Sequence, residues 1–407
     1  MPLGFLWLTL MGGMALGQDY PDPLFRDAEV AIQRGDLDTA RKTLERGLRK
    51  VPDHANAWAD LGNVHLLQER PGAARDAFLQ AIAVDPNHYV AMNGIGVAWL
   101  KEGEKIKAVE WFLKSFEANN EYATPLLNLG DVAMLMGRLE EAIVYYDSAH
   151  QAQPGNKRAT IALVDIHIAA EVPAQAERYL LAALSRAPQD VDLLVCAGTL
   201  YQAMENDRRA LDHLATAKEL APDRYDVHRT AGLSFLKLGM WPEAEAAYRT
   251  ALQAYPDDHQ VHFELAQVYG LSGVAMERAI EHLAYTLQLN PGFYPAMAFR
   301  GDLLEELGRF AEAVDAWEQV LRVAPRHAPT LNNLGRRRMI DGEYSAAIIL
   351  FNDCLAADPA FHAARLNRGA TYAMKGQCDR ARPDLEAVIR VGGGLGEQAK
   401  SLLEQCR

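Results

Sequence analysis

Two histidines one helical turn apart come nearest, in this sequence, to the spacing of a metal site. His259-Gln260-Val261-His262 is followed closely by Glu264, and both histidine and glutamate side chains bind zinc. A zinc-protease helix requires the order His-Glu-x-x-His and a further ligand, and this segment provides neither. The alternative is that the histidines open a structural helix. No serine, histidine and acid set stands out elsewhere, so we predict no catalytic residue, no metal and no cofactor.

The elements that would position such residues follow one regular spacing along the chain. Proline stands twelve residues after most members of an alanine series and glycine twelve residues before most, as Pro86 and Gly62 do around Ala74. Each period therefore predicts two helices that approach closely at small residues and end at a proline. The alanines recur at steps of 34 residues, with one step of 35, at positions 40, 74, 108, 142, 176, 210, 244, 279, 313, 347 and 381.

This period resembles the tetratricopeptide repeat family. One unit shows the family's pattern at Trp58, Gly62, Ala74, Phe78 and Pro86. The resemblance covers residues 18–393 as eleven repeats and implies an all-α, right-handed superhelical solenoid of antiparallel helix pairs. Residues 394–407 are amphipathic and predict a helix that caps the last repeat.

The four cysteines are of two kinds. Cys196 and Cys354 fall at inward positions of the repeat, where we expect them to pack as small apolar residues. Cys378 opens the last repeat's second helix and Cys406 ends the capping helix. At ~1.5 Å per residue they lie about 18 and 17 Å from the turn between them. They are therefore at similar height on neighbouring helices, and the sequence leaves open a disulfide or two thiols.

Net charge and the N-terminal residues limit the partner and the compartment. The formal net charge of −13 opposes binding to nucleic acid or to an anionic membrane surface. Residues 1–17 are uncharged and apolar and end in Ala15-Leu16-Gly17, a small-x-small cleavage pattern. They predict a secretory signal peptide and export to the periplasm or beyond, although the usual basic residues are missing. The alternative is an uncleaved segment that anchors the chain.

The resemblance also implies where a partner binds, because first helices in the family line a concave groove that holds peptides. Carboxamides both donate and accept, so asparagines there can hold a peptide backbone, while Asp131 and Asp165 favour basic side chains. Asn128, Asn333 and Asn367 share one repeat position, similar to the asparagine ladder of O-linked N-acetylglucosamine transferases, but other repeats interrupt it. The alternative is a solvated face with no fixed ligand. The predicted peptide-binding residues are Asn63, Asn93, Asn128, Asp131, Arg158, Asp165, Arg229, Phe263, Asn333, Arg336 and Asn367.

Arginines replace expected residues in the C-terminal third. Arg300 and Arg368 stand where other repeats have leucine, and Arg336-Arg337-Arg338 form a local basic cluster. One interpretation is a charged patch for an acidic partner. The interpretation we favour is that these arginines pair with acids on adjacent helices.

Together these features predict a non-enzymatic scaffold that binds an extended polypeptide in its groove, in the bacterial cell envelope. The alternative function is an envelope assembly factor that bridges a secretion or polysaccharide-export complex, with the convex side as its contact surface. An enzyme is disfavoured because the repeats and the cap use every segment after the leader. On this basis, replacing Asn128 and Asp131 by alanine should weaken partner binding at little cost in stability.

Overall fold

The computed structural model describes residues 23–406, and the signal peptide predicted at residues 1–17 lies outside them. The described residues form α-helices joined by short turns, without a β-strand. They divide into two units, one ending at Pro222 and the other beginning at Asp223. No helix between residues 23 and 406 has both the length and the apolar character needed to cross a membrane.

The first unit contains six helix pairs in its described part, one for each sequence period. A short 3-10 turn, Pro173–Gln175, precedes the second helix of the fifth pair, which is the shortest of these helices. The helices are α1 (Pro23–Gln33), α2 (Leu37–Leu48), α3 (Ala55–Leu67), α4 (Pro71–Val84), α5 (Tyr89–Lys101), α6 (Lys105–Ala118), α7 (Thr124–Leu135), α8 (Leu139–Ala152), α9 (Lys157–Ala169), α10 (Glu177–Arg186), α11 (Val191–Ala203) and α12 (Asp207–Leu220).

The second unit contains five further pairs and a terminal helix, as far as residue 406. The terminal helix begins at Gly393, one residue before the predicted start of the cap. The helices are α13 (Tyr225–Lys237), α14 (Trp241–Ala254), α15 (His259–Leu271), α16 (Met276–Leu289), α17 (Tyr294–Glu306), α18 (Phe310–Val323), α19 (Ala328–Ile340), α20 (Tyr344–Ala357), α21 (His362–Met374), α22 (Cys378–Val391) and α23 (Gly393–Gln405).

Glycine at its fixed position makes room for an aromatic ring, which explains the spacing in the sequence. The Phe78 ring is fully buried, and a Cβ atom added at Gly62 would lie 2.5 Å from it. A Cβ atom added at Gly94 would lie 2.3 Å from the same ring. Phe78 on α4 therefore packs between the first helices of its own pair and of the next. The same close approach recurs for Gly96 and Phe112, Gly130 and Tyr146, Gly232 and Tyr248, Gly301 and Trp317, and Gly335 and Phe351.

The turn inside each pair needs one residue in the left-handed backbone region, and three pairs lack glycine there. Glu69, Glu171 and Glu205 hold this conformation, with φ of 58°, 59° and 55°. A side chain in that region costs about 1–2 kcal/mol, so these three turns are strained relative to the others. In the remaining pairs the position is glycine with positive φ: Gly35, Gly103, Gly137, Gly239, Gly273, Gly308, Gly342 and Gly376.

The terminal helix α23 is attached to the last pair by a disulfide and by apolar packing. Cys378 at the start of α22 is bonded to Cys406, with their Cα atoms 5.4 Å apart. Ala399 is fully buried in the same cluster as Leu385 and Val388 of α22. Of the two states that the sequence left open, the structure has the disulfide. The free cysteines at positions 196 and 354 are buried in the core, as expected.

Candidate functional site

Polar side chains of successive first helices contact one another in the first unit. Asn128 on α7 donates from Nδ2 to Oδ1 of Asn93 on α5 at 2.9 Å. Arg158 on α9 donates to Oδ1 of Asn128 at 3.3 Å and forms an ion pair with the Oδ2 atom of Asp131. The Tyr146 hydroxyl donates to Oδ1 of Asp131 at 2.5 Å. We call Asn93, Asn128, Asp131, Tyr146 and Arg158 the first-unit network.

Four members of the first-unit network are buried, and hydrogen bonds within it occupy both carboxylate oxygens of Asp131. Arg158 is partly buried, and its Nε and Nη1 atoms have no partner among the described residues. Asn128 is 0% exposed and Asp131 is 6% exposed. Burial raises the pKa of the Asp131 carboxyl, while the positive charge of Arg158 and the Tyr146 hydrogen bond act against that rise. Burial beside this carboxylate also raises the pKa of Tyr146. Asn128 and Asp131 are thus already paired inside the protein, which corrects the expectation that they are available to a peptide. The small stability cost expected for their replacement stays a prediction.

Asp165 differs from Asp131 although it holds the same place one repeat later. It lies on α9, 34 residues after Asp131. Its side chain is partly buried, and it has no hydrogen bond or ion pair with any residue between 23 and 406. Desolvation alone raises the pKa of the Asp165 carboxyl to about 6. Its charge in turn contributes to raising the pKa values of Tyr146 and Cys196.

Asn63 is a further member of the predicted set with an unmatched polar atom. It is 2% exposed on α3, and its Nδ2 atom has no hydrogen-bond partner in the described part of the chain. A buried carboxamide of this kind belongs to the interior of the first unit and does not face a ligand from solvent.

In the second unit, the predicted asparagines also bond to the preceding repeat. Asn333 on α19 donates from Nδ2 to Oδ1 of Asp302 on α17 at 3.0 Å. Asn367 on α21 donates from Nδ2 to Oδ1 of Asn332 at 3.0 Å. With Asn128, they form contacts between neighbouring first helices. The shared repeat position therefore places these carboxamides against the protein itself, where the sequence predicted a ladder for a peptide.

The tyrosine of the first-unit network has a counterpart in the second unit. The Trp317 Nε1 atom donates to Oδ1 of Asp302 at 3.0 Å, and both aromatic donors stand 15 residues after their aspartates. The repeat spacing alone did not identify Tyr146 and Trp317 as hydrogen-bond donors. The signal that could have identified them is a tyrosine or tryptophan that follows an aspartate by 15 residues.

The remaining predicted residues of the second unit also have partners within it. Arg229 on α13 pairs with Glu264 on α15 at 3.2 Å. The Phe263 ring contacts the edge of Phe293, with ring centroids 5.2 Å apart. Arg336 on α19 forms an ion pair with Glu305 on α17. None of these contacts joins the residues into one site.

The C-terminal arginines pair largely with acids, and the pairs of Arg336, Arg338 and Arg368 reach other helices, as the favoured interpretation expects, whereas Arg337 pairs at the end of its own helix. Besides Arg336, three others have carboxylate partners in the described chain: Arg337 with Asp341, Arg338 with Glu318 and Glu343, and Arg368 with Asp384. Arg300 is the exception, because its Nε atom is buried without a hydrogen-bond partner among the described residues.

The two histidines considered for a metal site point to different neighbours. The His262 Nδ1 atom lies 2.9 Å from Nδ1 of His282, a residue that sequence spacing did not suggest. His262 Nε2 bonds to the carbonyl oxygen of Pro256 at 2.8 Å, as Trp58 Nε1 does to that of Pro52. His259 Nε2 instead lies 3.3 Å from Nδ2 of Asn290. His262 therefore takes the structural place that tryptophan holds in the second repeat.

Comparison with known proteins places this geometry in a family. Models described as "Tetratricopeptide repeat" match more than half of the chain, at residues 25–88, 68–123, 229–292 and 300–360, and a second model so described matches 133–195. Among solved structures, a chain from the crystal structure of the APC/C hetero-tetramer Cut9-Hcn1 aligns with a TM-score of 0.51 at 13% identity, over 98% of each chain. That likeness shows the fold alone.

Curated relatives are distant and longer. The chain is 24% identical to Superkiller complex protein 3 of Mus musculus, over 83% of this chain and 20% of that protein. It is 23% identical to the Peroxisomal targeting signal receptor of Eremothecium gossypii, over 71% of this chain and 46% of that protein. It thus spans less than half of each relative. The chain belongs to the tetratricopeptide repeat family, whose proteins generally mediate protein–protein interactions.

Proposed function

We propose that this protein is a non-enzymatic scaffold that binds an extended polypeptide along its first helices, in the cell envelope. The observation that carries the proposal is that helix pairs account for every helix from Pro23 to Val391, with only α23 beyond them. Within each unit, an array of such pairs offers many shallow contacts, which suit an extended chain better than a small molecule.

The state of the polar groups supports binding over catalysis. A catalytic site needs side chains that converge on a reacting atom and remain free to act on it. In the first-unit network, both carboxylate oxygens of Asp131 and the Oδ1 atom of Asn128 are already bonded within the protein. Groups paired in this way hold the helices together.

The envelope location has two supports. Residues 1–17 have the apolar run and small-residue pattern of a signal peptide. The disulfide between Cys378 and Cys406 fits a protein that matures in an oxidising compartment, because structural disulfides are rare in a reducing cytosol.

The test is site-specific photo-crosslinking in the organism's own cells. A photoreactive amino acid replaces Thr199, an exposed residue of the first helix α11, and separately Val144, which is 62% exposed on the second helix α8. We expect polypeptide adducts from position 199 and none from position 144. Adducts from position 144 alone would favour the bridging assembly factor, and the absence of adducts at both would reject a polypeptide partner.

A further inference from the structure

Three aspartates occupy equivalent places in three repeats, but only two have donors. Asp131 receives a hydrogen bond from Tyr146, and Asp302 receives one from Trp317, each 15 residues later. The residue 15 positions after Asp165 is a fully buried leucine, Leu180, which cannot donate. Asp165 therefore lacks the aromatic hydrogen-bond donor that the other two aspartates have.

The other two aspartates also have a donor on the next first helix, and the equivalent residues beyond Asp165 are of different types. Arg158 supplies it to Asp131, and the equivalent residue beyond Asp165 is Asp192, an acid that accepts from Lys157. At the position from which Asn333 donates to Asp302, the helix beyond Asp165 carries Cys196. A thiol is a weak donor, and this one is buried. Every residue type that satisfies the other two carboxylates has thus been exchanged for one that does not.

The unpaired carboxylate is unfavourable for the fold itself. Asp165 is partly buried and carries a raised pKa, so its charged form is destabilised at neutral pH. Asparagine has nearly the same shape and would avoid that penalty. No cation among the described residues is paired with Asp165, and the ammonium group of Lys157 is held between Asp190 and Asp192. Perturbed acids of this kind concentrate at binding and catalytic sites.

We propose that Asp165 binds the guanidinium group of an arginine in the bound polypeptide, as Asp131 binds Arg158 within the chain. The ion pair between Arg158 and Asp131 shows that this repeat position accepts a guanidinium arriving from the neighbouring first helix. At Asp165 that place is left to a ligand. Guanidinium matches a carboxylate with two parallel hydrogen bonds, which an ammonium group cannot form. The proposal deepens the binding function proposed above and rests on it for the polypeptide that carries the arginine.

The test uses the arginine head group alone. The full chain is prepared with aspartate labelled at the carboxyl carbon, and the Asp165 signal is identified by its loss in Asp165→Asn. The protein is titrated at constant ionic strength with ethylguanidinium, ethylammonium or ethylurea, which differ in fork geometry and charge. We expect a saturable shift of the Asp165 signal with ethylguanidinium, at least about threefold tighter than with ethylammonium, and no shift with ethylurea.

The exposed carboxylate of Asp76 on α4 is the control within the same spectra. A response of Asp165 no larger than that of Asp76, or one equally produced by ethylurea, would overturn the site. Tighter binding of ethylammonium would overturn its assignment to arginine. Because the probes are small molecules and not polypeptides, failure here leaves the crosslinking result from Thr199 intact, and the two proposals fail separately.

Discussion

The fourth and fifth helix pairs place an aspartate at the same position and treat its charge in opposite ways. In the fourth pair, Asp131 is buried, paired with Arg158 and hydrogen-bonded by Tyr146. In the fifth pair, Asp165 is partly buried and unpaired among the described residues. Repeat position alone therefore does not determine whether a polar group is structural or available to a ligand.

The difference begins in the core beneath the two aspartates. Tyr146 packs against Gly130, where an added Cβ atom would lie 2.6 Å from the ring. In the fifth pair the equivalent residues are Leu180 and Val164, both fully buried. The tyrosine and glycine of the fourth pair thus correspond to two mid-sized apolar residues, leucine and valine, in the fifth. Leu180 fills the core of the fifth pair but has no hydroxyl that could satisfy the acid.

The largest expected effect comes from breaking the paired site. Arg158→Ala leaves the buried carboxylate of Asp131 without its cation, and we expect a loss of about 3 kcal/mol in the free energy of unfolding. Urea denaturation at pH 7 measures it. In an Asp131→Asn background the same change should cost much less. An equal cost in both backgrounds would show that the loss comes from packing of the arginine stem and not from the ion pair.

Removing the unpaired charge of Asp165 should raise the free energy of unfolding, whereas Arg158→Ala should lower it. In the unfolded chain Asp165 titrates near the ordinary value, whereas in the fold its pKa is about 6. The folded state therefore binds more protons between these values, and stability falls as pH rises from about 4 to 6. We expect Asp165→Asn to stabilise the protein by about 2 kcal/mol at pH 7, discounted from about 3 kcal/mol for residual solvent contact, and by little at pH 4.

The matched control for this prediction is Asp76→Asn, which changes the net charge equally at an exposed position. Its effect on urea denaturation should be small at both pH values. If Asp165→Asn stabilised no more than Asp76→Asn at pH 7, the carboxylate at position 165 would not be strained by the fold. The reason for its use as a binding group would then disappear.

Removing one hydroxyl tests the aromatic contribution to the paired site. Tyr146→Phe keeps the ring between its neighbours and deletes the donor to Asp131, so we expect a loss of about 1.5 kcal/mol in urea denaturation. Tyr145→Phe, which removes the adjacent hydroxyl on the same helix, is the control and should be nearly neutral. Equal losses in the two variants would assign the effect to general hydration instead of the bond to Asp131.

The sequence predicted the fold because its signal is steric and local. The small residue at Gly62 and the ring at Phe78 lie 16 positions apart in one helix pair, and five further repeats show the same pairing of glycine and ring. The turn glycines follow from backbone geometry in the same way. Such rules depend only on near neighbours in the chain, so periodic spacing reveals them.

The site was less predictable because it depends on contacts between repeats. The bond from Asn128 to Asn93 joins residues 35 positions apart and requires a particular rotation of two helices. Spacing shows that such residues share a face, but it does not show whether they meet each other or solvent. The distinction between Asp131 and Asp165 was therefore invisible until the donors around each were located.

The smallest effect should come from giving Asp165 an internal partner. Asp192 stands 34 residues after Arg158. Asp192→Arg therefore places a guanidinium at the position relative to Asp165 that Arg158 holds relative to Asp131. We expect a gain of about 0.5–1 kcal/mol over Asp192→Ala, which also frees Lys157 but adds no donor.

The carboxyl titration should show the pKa of Asp165 below its present value of about 6. The same variant should no longer respond to ethylguanidinium, because the chain's own arginine then occupies the position proposed for the ligand. A variant with a lowered pKa that still bound the probe would separate the strain at Asp165 from its proposed role.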